Sequence, residues 1–169
     1  MLQGGDRRSI GGSNQVAATV LRQPERLAEL LECLWSADDV VRMRAADAME
    51  EISVQRPDLL RPFAAELLGL AEETTQQELR WHLAQIAPRL QLTLENRKRA
   101  VAILRRYLND RSSIVKTCAI QALTELSCGD VALQVEMAEM LRKFTRNGTA
   151  AMKARSRKLL RQLHGNSSR

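Results

Sequence analysis

Aromatic residues make up only 3% of this 169-residue chain, and it has 8 glycines, 4 prolines, 3 cysteines and 2 histidines. So few glycines and prolines exclude a loop-rich or low-complexity protein, while scarce aromatics and short β-branched runs disfavour strands. Cys33, Cys118 and Cys128 are an odd set without CxxC spacing, which argues against a disulfide framework and against a zinc site. With only His82 and His164 available, and no HExxH, GxSxG or Gly-rich phosphate loop, an ordinary enzyme is not expected. Glu50-Glu51 and Glu72-Glu73 are sequence neighbours that point to different sides of a helix, so they make no carboxylate pair. The longest apolar runs, such as Val16 to Leu21, are far too short for a bilayer, and the N-terminus lacks an apolar signal core. A soluble protein of the reducing cytoplasm is expected, with no cofactor, no metal and no membrane partner.

What is present is a repeat. VVRMRAADAMEEI (40–52), ELRWHLAQIAPRL (78–90), IVKTCAIQALTEL (114–126) and AMKARSRKLLRQL (151–163) superimpose without a gap. Their anchors Val41, Leu79, Val115 and Met152 are spaced by 38, 36 and 37 residues, a period typical of stacked helical hairpins. A cation follows each anchor: Arg42, Arg80, Lys116 and Lys153.

The punctuation between repeats reads as alternating helix stops and starts. It predicts a short helix over 14–23, then helices near 24–35, 39–54, 58–72, 76–90, 94–108, 113–127, 130–146 and 149–163. Pro62 should split the 58–72 helix and Pro88 should bend or shorten 76–90. Residues 1–13 read as a flexible arm, 14–164 as one domain and 165–169 as a flexible tail. At 100° per residue Val41, Ala45, Ala48, Met49 and Ile52 share a core stripe, as do their equivalents. The opposite side carries Met43, Asp47 and Glu50, then Trp81 and Gln85, then Thr117, Gln121 and Thr124, then Lys158 and Arg161. Trp81 has two readings: an aromatic anchor facing a groove, or a ring packed on a neighbouring repeat. Trp35, Phe63, Phe144 and Tyr107 are assigned to the core, with Cys33 and Cys118 as small buried hydrophobes.

Net charge is +6, but it is unevenly distributed. Residues 1–90 hold 10 Lys/Arg against 14 Asp/Glu, whereas residues 91–169 hold 16 against 6, and no acid follows Glu139. Such polarity marks either an anionic partner, contacted by Lys153, Arg157, Lys158 and Arg161, or a solvated terminal cap.

The acidic turn followed by Val-Arg and small apolar residues, in SADDVVRMRAADAMEEI and again in NDRSSIVKTCAIQALTEL, resembles the second helix of HEAT repeats. The resemblance implies an all-α, right-handed α-solenoid of about four hairpins plus a short N-terminal helix. It implies that the second helices line a concave face, and that Arg42, Arg80, Lys116 and Lys153 occupy a basic position used in ladders between repeats, with Asp38 or Asp39 and Asp110 as partners. The implied function is a protein-binding adaptor using Met43, Asp47, Glu50, Trp81, Gln85, Thr117, Gln121, Thr124, Lys158 and Arg161. Nucleic-acid binding by the basic half is the alternative. A weaker one is a bilin-lyase accessory role, since some HEAT-like proteins attach bilins.

Overall fold

The computed structural model describes Leu2 and residues 12–166, the last three of these by backbone alone. All regular structure among the described residues is helical. Polar residues start the helices where the sequence placed them. Asp38 Oδ1 accepts the Val40 N–H at 2.8 Å, Ser112 Oγ that of Val115 at 3.4 Å, Asp130 Oδ1 that of Leu133 at 3.0 Å and Thr149 Oγ1 that of Met152 at 3.3 Å. Each satisfies a donor that the first turn leaves unpaired, worth about 1 kcal/mol at a position such as Ser112.

The order is α1 (Ser13–Arg22), α2 (Leu27–Glu32), α3 (Asp39–Gln55), α4 (Pro57–Leu60), α5 (Ala64–Glu73), α6 (Gln77–Ile86), α7 (Leu94–Tyr107), α8 (Ser113–Leu126), α9 (Val131–Asn147) and α10 (Ala150–Asn166). Pro62 sits in a 3₁₀ turn, Arg61–Phe63, that separates α4 from α5. Pro88 sits in another, Ala87–Arg89, that ends α6 four residues before the predicted limit. Proline supplies no N–H for the α-helical ladder, so the chain tightens at both places.

Two units divide at Asn96/Arg97. In the first, α3 packs against both α1 and α6. Its predicted stripe is buried, with Ala45, Ala48, Met49 and Ile52 at 0–1% exposure. The small alanines let neighbouring helices approach closely, and the long apolar side chains fill the gaps between them. Arg42 clamps the turn before its own helix: Nη1 donates to the Ser36 carbonyl at 2.5 Å, Nε to Gln76 Oε1 at 2.8 Å, and the guanidinium pairs with Asp39. Arg80 repeats the first of these contacts, its Nε donating to the Thr74 carbonyl at 2.8 Å. In both cases the cation reaches back six residues to hold a turn.

In the second unit α9 and α10 form a hairpin, and α8 packs against both. Its core includes Leu104, Val115, Ile120, Leu123, Met137 and Leu141. Gly129 takes φ +78°, the left-handed conformation that glycine adopts at no steric cost. Gly148 is required for a different reason: a Cβ there would lie 2.6 Å from the Phe144 carbonyl oxygen and 2.8 Å from Met152 Cβ. Arg97 of α7 donates to the Leu126 carbonyl at the end of α8 and lies 3.5 Å from the carboxylate of Asp130, which caps α9.

Several expectations need correction. Trp35 is 48% exposed rather than core. It ends a 3₁₀ turn, Cys33–Trp35, whose tighter winding rotates the ring off the buried face and turns Leu34 inward at 1% exposure. Phe63, Phe144, Cys33 and Cys118 are half-buried, while Tyr107 is buried as expected. The expected arm, 1–13, lies largely outside the described residues, but Leu2 is buried and its carbonyl accepts from Arg44 Nη1 at 2.9 Å. Of the expected tail, 167–169 lie outside the described residues, and Gly165 and Asn166 are helical.

Candidate functional site

In the first unit the surface of interest is built by α3 and α6. Their contacts keep one register: Arg42 meets Gln76, Glu50 meets His82 and Gln85, and Ser53 meets Arg89. The two helices therefore run side by side in the same direction. Glu50 is the centre of this array. Its Oε2 accepts from His82 Nδ1 at 2.7 Å and from Gln85 Nε2 at 2.8 Å, and its Oε1 is 3.9 Å from Arg89 Nη1. Arg89 Nη1 also donates to Ser53 Oγ at 3.0 Å, and that hydroxyl donates to the Glu50 carbonyl at 2.6 Å.

A carboxylate only accepts, so the His82 proton facing Glu50 sits on Nδ1. His82 is 8% exposed, and its Nε2 has no partner among the described residues. Beside it stands the half-buried Trp81, with ring centroids 5.6 Å apart and planes tilted by 55°, a favourable edge-type arrangement for two rings. The array thus fixes two helices and presents an indole beside an imidazole nitrogen.

The sequence-derived strip fares unevenly in this unit. Trp81 and Gln85 lie on the α3–α6 surface, both partly accessible. Glu50 is there too, but as the acceptor holding His82 and Gln85 rather than as an open acidic contact. Asp47 is half-buried and has no hydrogen bond or ion pair among the described residues. Met43 is buried at 9% exposure, out of a partner's reach; its helix has neighbours in both α1 and α6, so little of its circumference is free.

In the second unit α8 and α10 lie together, joined by Arg155, which donates to Gln121 Oε1. Gln121 also donates to Glu125 at 2.8 Å. Thr117 is half-buried and returns its hydroxyl to the Ser113 carbonyl at 2.7 Å. Thr124 is buried, its hydroxyl donating to the Ile120 carbonyl at 2.7 Å, so it presents nothing to a partner. Arg157, Lys158 and Arg161 are exposed and Lys153 is half-buried; no described acid pairs with any of them. Two acids of this unit are held by α7 cations. Glu136 pairs with Arg105, Nε to Oε1 at 2.9 Å, and holds that guanidinium's pKa above its ordinary value. Asp130 is held below the usual carboxylate range, first by the Leu133 N–H.

Sequence reading missed the Glu50–His82 pair. The signal was in the repeat: His82, three residues after its anchor Leu79, meets Glu50, nine after Val41. Arg155, three residues after Met152, meets Gln121, six after Val115 and so one helical turn earlier than the equivalent of Glu50. No cluster among the described residues could hold a metal ion, and no helix is long and apolar enough to cross a membrane. No protein-family model and no curated protein matches the chain.

Proposed function

We propose that this chain is a non-enzymatic adaptor of HEAT-like stacked hairpins that holds a segment of another protein on the surface of its second helices. The supporting observation is the α3–α6 array, in which Trp81 stands partly exposed on two helices cross-linked through Glu50. A rigid aromatic on a fixed surface loses little entropy on binding and commonly carries much of an interface's affinity. The open Nε2 of His82 supplies a neighbouring acceptor for a backbone or side-chain N–H. An α-solenoid is the architecture that places second helices side by side in this way, and the Glu50–His82 and Gln121–Arg155 contacts, each between one second helix and the next, favour it.

The test is affinity capture from the chain's own cytosol with the intact protein and with Trp81→Ala. A protein retained by the first and weakened about tenfold or more with the second, at matched melting temperature, is the expected result. An identical retained set at identical affinity removes this surface from the function.

A further inference from the structure

We infer that the outer face of α10 is a docking surface for the phosphate backbone of duplex nucleic acid. Around the helix, Met152, Ser156 and Leu159 are buried, and Lys153, Arg157, Arg161 and Lys158 occupy an arc of about 140° facing away from them. Lys153, Arg157 and Arg161 recur every fourth residue, so their stems climb one face in steps of about 6 Å. Arg142, Lys143 and Arg146 are also exposed, on α9 of the same hairpin. None of these seven cations forms an ion pair or side-chain hydrogen bond with a described residue. In residues 97–169 there are 16 Lys/Arg and 5 Asp/Glu, and two of those acids are held by Arg97 and Arg105. No described acid pairs with the Lys153, Arg157, Lys158 and Arg161 face of α10, and its natural complement is a polyanion.

Three observations select the duplex backbone. From Ala150 to Leu163 there is no aromatic residue, so unpaired bases lack the aromatic platforms on which single-strand binders stack them. The exposed positions of that stretch hold only alanine, glutamine and cations, which gives no apolar edge to enter a lipid interface. Arginine predominates over lysine, and its planar fork matches phosphate oxygens two at a time. Binding of this kind reads charge density and not base sequence.

The experiment is fluorescence anisotropy of a labelled random-sequence duplex with the full chain, repeated across salt concentrations. Contact with three or four phosphates predicts log affinity falling against log salt with a slope of about −3. Arg157→Glu/Lys158→Glu/Arg161→Glu should lower affinity at least about 100-fold at about 50 mM salt. The matching triple glutamine variant should give an intermediate loss, and both should melt like the parent because the replaced side chains are exposed. Trp81→Ala should bind the duplex unchanged, which separates this surface from the proposed protein-binding one. The inference is overturned by no duplex binding at about 50 mM salt or by undiminished binding of the charge-reversed variant. Equal or tighter binding to a single strand, or to phosphatidylcholine vesicles carrying phosphatidylserine, overturns it as well.

Discussion

The two units handle charge in opposite ways. Residues 1–96 carry 10 Lys/Arg and 15 Asp/Glu, and residues 97–169 carry 16 and 5. In the first unit charged groups are used internally: Glu50 binds His82 and Gln85, Arg42 grips a turn, and Arg44, at 2% exposure, bonds the Leu2 carbonyl. In the second, Arg97 and Arg105 are held near α9, but Lys153, Arg157, Lys158 and Arg161 of α10 pair with no described acid. A side chain satisfied inside the fold contributes to stability and has little left for a partner. One left unsatisfied at the surface contributes almost nothing to stability and is available for recognition. The same helix position therefore serves different ends in different repeats.

That contrast can be broken by substitution. The largest stability loss is expected from Gly148→Ala, which drives a methyl group into the Phe144 carbonyl and should cost the α9–α10 hairpin about 2 kcal/mol or more, measured by denaturant unfolding. Next, Glu50→Ala strands the His82 and Gln85 donors and should cost about 2 kcal/mol, whereas Gln121→Ala, whose partner Arg155 is exposed, should cost less than about 0.5 kcal/mol. Equal losses at the two sites would erase the distinction between the units.

Acid gives a smaller, signed effect. Asp130 has its pKa lowered by the Leu133 N–H and, further, by Arg97. Its stabilisation is therefore complete above the unfolded carboxylate value near 4 and is lost as pH falls through the depressed folded value. Asp130→Asn should flatten that acid limb of the unfolding curve and leave neutral pH behaviour little changed. The smallest effect on stability belongs to the α10 charge reversal, within about 0.5 kcal/mol of the parent.

The helices and their core faces were legible because repeat spacing and periodicity reinforce one another at Val41, Ala45, Met49 and Ile52. Pro62 and Pro88 also announced their breaks. What could not be read was which side of a helix a second neighbour covers. Met43 was assigned to an open strip by its angle alone, yet α3 has neighbours in both α1 and α6. Thr124 likewise turned its hydroxyl back to its own helix, and Trp35 was displaced by a local 3₁₀ turn. The Glu50–His82 bond joins residues 32 apart, so it required the register between helices and not only the phase within each. The cations of α10 were legible as charge, but that Lys153, Arg157, Lys158 and Arg161 have no partner among the described residues was visible only in three dimensions.

The division of labour is tested most directly by nuclear magnetic resonance on the ¹⁵N-labelled chain titrated with a short duplex at low salt. Shifts concentrated in α10 and at the Arg157 and Arg161 side-chain Nε–H groups, with the Trp81 indole N–H unmoved, are the expected result. Shifts centred on the Trp81 indole and the α3–α6 surface, with α10 silent, would contradict it.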